Sequence, residues 1–151
     1  MKRTLTSILL ALLLTIFVIQ CTAVSAENAP ANVDIKGTWA GSRQLKDNPM
    51  NTPSNITFIF TSSSPLNGDV ELPTVNGPKK YKMTNGKLEG KKLSFDYTLI
   101  SSRVKGSVIL HFEGNVEGDT ITGVCDFSPA ATYRSLSPRP PYNVKVDKKK
   151  S

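Results

Sequence analysis

GKLEGKKLS at residues 86–94 and GNVEGDTIT at residues 114–122 repeat one phrase 28 positions apart. Gly86, Glu89 and Gly90 align with Gly114, Glu117 and Gly118, while Leu88 and Leu93 align with Val116 and Ile121. Each copy reads as a strand end, a tight turn and a new strand. Gly90 and Gly118 stand where a two-residue hairpin turn needs positive φ, which glycine adopts with little steric cost. The flanking apolar residues return to the same face on either side. The repeat therefore marks two successive hairpins of one meander.

Working outward, alternation of period two recurs along the chain. SNITFIFTS puts Ile56, Phe58 and Phe60 on one face, and LSFDYTLI puts Leu93, Phe95, Tyr97 and Leu99 on one face. VKGSVILHFEG aligns Val108, Leu110 and Phe112, and ITGVCDF aligns Ile121, Cys125 and Phe127. With IKGTWAGSRQL, NGDVEL, KKYKMT and ATYRSL, the pattern predicts eight short strands and no helix in residues 27–151. KDNPMNTP at 46–53 and VNGP at 75–78 read as loops. Eight antiparallel strands with one apolar face each bury those faces either as a sandwich or as a closed barrel. Periodicity does not choose between them.

The ends read differently. Residues 1–26 combine Lys2 and Arg3, an apolar run from Ile8 to Ile19 and a Val24-Ser25-Ala26 ending, the plan of a cleaved secretory signal peptide. That run of 12 residues is short of the roughly 18–20 that span a bilayer. An exported lipoprotein processed at Cys21 is a further reading, against which Gln20 stands where that processing wants a small residue. Export to a periplasm or the extracellular medium is the expectation, with no transmembrane segment after cleavage. Residues 27–34 are expected to be a flexible lead-in, 35–137 the barrel domain, and 138–151 a disordered, Pro-rich basic tail.

Most of the net charge of +7 lies outside that domain. Lys2 and Arg3 belong to the leader; Arg139, Lys145, Lys148, Lys149 and Lys150 oppose only Asp147 in the tail. A nearly neutral domain lacks the bulk field of a nucleic-acid binder. Lys79, Lys80, Lys82, Lys87, Lys91 and Lys92 nonetheless crowd one stretch, and Glu113, Glu117, Asp119 and Asp126 another, reading as two solvated hairpins of opposite sign.

Gly37-Thr38-Trp39, on the first predicted strand, resembles the Gly-x-Trp signature of the lipocalin and wider calycin barrels. The phrase from Gly114 through Val116, Gly118, Asp119 and Ile121 to Gly123 is similar to small exported bacterial lipocalin-like domains. The resemblance covers roughly residues 35–136 and implies an antiparallel up-and-down barrel. It also implies that Trp39 closes one end beneath an arginine of the last strand, for which Arg134 in ATYRS is the match. The Thr-Asp-Tyr signature of true lipocalins is absent, and the chain is shorter than a typical lipocalin.

Catalytic constellations are lacking. His111, the single histidine, falls on the outward face with Ile109 and Glu113, and Cys125 falls inward as an apolar filler. No structural-zinc spacing, calcium loop, phosphate loop or nucleophile elbow occurs. The expectation is a non-enzyme with no cofactor or metal, whose chemistry lies inside the barrel. Phe58, Phe60, Tyr81, Met83, Phe95, Tyr97 and Phe112 are the candidate ligand-binding residues, for a small apolar molecule at an open end. The other reading is a filled barrel that binds a protein or acidic surface through its charged hairpins and basic tail.

Overall fold

The computed structural model describes residues 33–48, 50–101, 106–127 and 141–150. Eight strands follow in chain order: β1 (Gly37–Leu45), β2 (Ser54–Ser63), β3 (Leu66–Thr74), β4 (Gly77–Glu89), β5 (Lys92–Ser101), β6 (Gly106–Glu117), β7 (Thr120–Phe127) and β8 (Tyr142–Lys148). Every strand pairs antiparallel with its sequence neighbours, and β8 pairs with β1, so the sheet is a closed up-and-down barrel. Closure leaves no unpaired sheet edge. The architecture is consistent with a calycin-like fold.

The repeated phrase forms two matching hairpins. Glu89 pairs with Lys92 and Glu117 with Thr120, leaving two-residue turns at Gly90-Lys91 and Gly118-Asp119. Gly90 has φ of 61° and Gly118 has φ of 59°, as a type II′ turn requires of its first central residue. The second turn residue is handled alike in both. The Lys91 carbonyl accepts from the Val116 N–H of β6 and the Asp119 carbonyl accepts from the Lys148 N–H of β8, each at 2.8 Å. Each turn thus extends the ladder onto the next strand.

The first glycine of the second copy serves packing. Gly114 and Gly123 are register partners on β6 and β7. A Cβ at either would lie 2.7 Å from Cζ of Phe112 and would collide with a backbone carbonyl across the ladder, Thr122 or Glu113. Their bare backbones are what admit the Phe112 ring. That ring joins a cluster at the middle of the barrel: its centroid is 5.0 Å from Phe95 and 5.1 Å from Phe58, and Phe58 meets Phe95 edge-on at 5.2 Å. Such edge and offset contacts add about 0.5–1.5 kcal/mol each beyond burial.

One end is sealed. Trp39 is buried, and its indole N–H donates to the Ile35 carbonyl at 2.8 Å, so the chain entering β1 folds beneath its own tryptophan. Ile35 is buried, its N–H donates to Ser63 Oγ at 3.1 Å, and that hydroxyl donates to Asp34 Oδ1 at 2.8 Å. Residues 33 and 34, read from the sequence as part of a flexible lead-in, are therefore fastened across this end. Hydrogen bonds from the Lys36 N–H and Ser63 hold the Asp34 carboxyl below its usual range.

The C-terminal expectation needs correction. Residues 142–148, assigned to a disordered tail, form β8, and the barrel runs past residue 137 to Lys148. Tyr142, Val144 and Val146 alternate with Asn143, Lys145 and Asp147, which is a strand pattern hidden between a proline run and a lysine run. ATYRSL, expected to be the last strand, lies outside the described residues, as do the leader and Arg134. Lys148 of β8 is the cation seen over the Trp39 ring, with Nζ 5.3 Å from the centroid. The expected loop at 75–78 shortens to a turn, because Gly77 and Pro78 already belong to β4.

Substitutions separate these glycine roles. Gly118→Ala, strained only in backbone, should cost about 1–2 kcal/mol in urea unfolding, whereas Gly114→Ala should cost about 2–3 kcal/mol through overpacking. Equal losses would count against the Phe112 contact. At the sealed end, Lys148→Gln should lose about 0.5–1 kcal/mol and Trp39→Ala about 3–5 kcal/mol.

Candidate functional site

The inward face of the wall changes character from one end to the other. Six of the seven candidate ligand residues, Phe58, Phe60, Met83, Phe95, Tyr97 and Phe112, are buried in the core. Tyr81 is half-buried and packs against it. The phenylalanines contact one another, so they fill the mid-barrel with rings. Leu99, Phe127 and Tyr142 are also only half-buried, and all three stand near strand ends opposite the Trp39 end. Among the described residues, these partly exposed apolar side chains make that end, the open end, less enclosed than the Trp39 end.

Arg43 is the residue that sequence reading passed over. It shares the inward face of β1 with Trp39 and lies nearer the open end. Its Nε donates to Ser54 Oγ, on the paired strand, at 3.0 Å, and its guanidinium carbon sits 5.1 Å from the Tyr142 ring centroid. Alternation from Trp39 through Gly41 was the available signal, since it puts Arg43 inside. No carboxylate of a described residue forms an ion pair with it; the ion pair seen among the described residues joins His111 and Asp96. Lys79, also near this end, sets Nζ 5.5 Å from the Tyr81 ring centroid.

Beneath the open end, the Tyr97 hydroxyl and Cys125 Sγ are 3.2 Å apart and buried. Burial pushes the Cys125 thiol up to about 11, against the Tyr97 hydrogen bond and the Arg43 charge, which favour the thiolate. Burial and the neighbouring Cys125 push the Tyr97 hydroxyl upward as well, while Arg43 pulls it back. Both groups are neutral near pH 7. A thiol held protonated in an apolar setting is a poor nucleophile.

His111 lies on the outer wall, where its Nδ1 is 2.6 Å from Asp96 Oδ1 and Asn85 Nδ2 donates to Asp96 Oδ2 at 2.7 Å. Asn85 has φ of 53° at the register shift in β4, which turns its side chain toward β5. Among the described residues, no group of three or more His, Cys, Asp or Glu side chains is placed to hold a metal ion. The lysine-rich stretch does not form an isolated basic face. Lys80 stands opposite Glu71 and Lys82 opposite Asp69 across the β3–β4 ladder.

Two surface depressions on the wall are lined by described residues alone. One, of about 250 Å³, is bordered by Asn55, Thr57, Glu71, Pro73 and Pro78, and the other, of about 440 Å³, by Lys92, Glu113, Asn115, Thr122 and Val124. Neither is built around the core aromatics or Arg43.

Raised folded-state pKa values have a definite sign in the pH dependence of stability. Above about pH 9 the unfolded chain releases the Cys125 proton while the folded chain keeps it, so stability falls until pH reaches about 11. Urea midpoints should drop across that window, and the drop should be smaller in Cys125→Ala. An identical drop in both proteins would remove Cys125 as a contributor.

No protein-family model, curated protein or solved structure matches this chain.

Proposed function

We propose that the protein is an exported, non-catalytic binding protein of lipocalin-like type that takes a small, largely apolar molecule at the open end of its barrel. The observation that carries this reading is the contrast between the two ends. Trp39, Ile35 and Lys148 cover one, while Tyr81, Leu99, Phe127 and Tyr142 present partly exposed apolar surface at the other. Half-buried rings above a packed floor suit a shallow ligand whose apolar body covers them, with polar groups at the margin fixing its orientation. The Gly37-Thr38-Trp39 resemblance supports the same assignment.

The core phenylalanines then act as the floor of the site, and Tyr81 is the one member of the expected ligand set that remains partly open. A protonated Cys125 and a neutral Tyr97 suit a binding floor better than a reaction centre.

Native mass spectrometry of the protein recovered from a secreting host tests the proposal. The expected result is an added mass that disappears on denaturation and is lost from a folded Leu99→Glu variant. A bare chain mass, with no small apolar compound retained after incubation, would overturn it.

A further inference from the structure

We infer that the open end carries a carboxylate subsite centred on Arg43, so that the ligand is a monocarboxylic acid with an apolar body. The inference rests on the open-end binding reading and adds to it the chemical class of the head group.

Arg43 is placed by the wall itself. Its position on β1 puts the side chain on the inner face, and Ser54 and Tyr142 hold it from the two neighbouring strands, β2 and β8. A guanidinium brought to the inner face of an apolar barrel loses part of its hydration, and an opposite charge is the usual compensation. Among the described residues no carboxylate supplies it. Among the described residues, Arg43 reaches the Ser54 and Tyr97 hydroxyls and the Tyr142 ring, none of them a carboxylate.

The surroundings also select the anion. Guanidinium donors match the two oxygens of a carboxylate, and charge-assisted pairs of this kind are stronger than neutral hydrogen bonds. Leu99, Phe127 and Tyr142 make the same region largely apolar, which matches one charge attached to a hydrocarbon body. A multiply charged phosphate would call for several cations converging at one point. Lys79 is engaged with Tyr81 instead, on β4.

The test compares octanoate with 1-octanol, equal in chain length and different in head group, by titration of the ¹⁵N-labelled full chain observed by NMR. The Arg43 side-chain Nε–H and the Tyr142 and Leu99 backbone signals report the location. The expected result is that octanoate binds about 10- to 100-fold more tightly than octanol at neutral pH. Arg43→Gln should bring the ratio of octanoate to octanol affinity, measured in that same variant, close to one. Arg43→Lys should retain part of the preference, as charge demands and a purely structural role does not. Dispersed spectra of both variants establish folding; if Arg43→Gln is unfolded, the Arg43→Lys variant and the wild-type acid-to-alcohol ratio decide the matter.

Equal binding of acid and alcohol at the open end would overturn the carboxylate subsite and leave the apolar-binding reading standing. Binding of the acid with shifts confined to the lysines of the outer wall would overturn the subsite as well. Failure of both compounds to bind would overturn the open-end reading together with it.

Discussion

The ladder between β1 and β8, running from the Trp39–Lys148 pair to the Leu45–Tyr142 pair, converts an open meander into a barrel. Closure does three things at once. It satisfies the backbone groups of both edge strands, brings Lys148 over the indole of Trp39, and sets Tyr142 beside Arg43. Seven strands would leave β1 and β7 with exposed donors and acceptors and an unsealed gap along the core. The sealed end and the open end therefore depend on one seven-residue strand at the end of the chain.

Interior space is the second constraint. A small barrel has little room, and its aromatics compete for it. Gly114 and Gly123 give up side chains so that Phe112 can reach Phe58 and Phe95, and the resulting cluster fills the middle of the barrel. A filled middle leaves the binding site proposed above to the end where Tyr81, Leu99, Phe127 and Tyr142 are only half-buried. The buried Tyr97–Cys125 contact lies between these regions, with the polar atoms paired to each other instead of left unsatisfied.

Electrostatics follows from the same geometry. The charged stretches of the linear sequence become mixed-sign ladders once β3 and β4 pair, because Glu71 and Asp69 meet Lys80 and Lys82. Arg43 differs from these residues: the wall turns it inward, and its described neighbours are the Ser54 and Tyr97 hydroxyls and the Tyr142 ring. A surface lysine finds its counter-charge or water without constraint. An inward guanidinium has fewer such choices, which is the basis of the carboxylate subsite proposed above.

The hairpins, the all-β class and the inward faces of β2, β5, β6 and β7 were legible in the sequence, because period-two alternation and turn glycines are local properties. Phe58, Phe95, Tyr97, Phe112 and Cys125 fall inward as their alternation requires. The same local signal existed in YNVKVDK but was masked by prolines before it and lysines after it, so β8 read as tail. Its assignment required a partner on each side, β7 and β1, and strand pairing across a hundred residues leaves no local mark. The sequence by itself therefore determined which residues alternate, where the chain turns and which side chains share a face. Only the tertiary structure decided that the sheet closes, that Lys148 covers Trp39, and that Arg43 meets Ser54, Tyr97 and Tyr142. Apart from Arg43–Ser54, which joins neighbouring strands, each of these is a contact between strands distant in sequence, set by register around a closed ring.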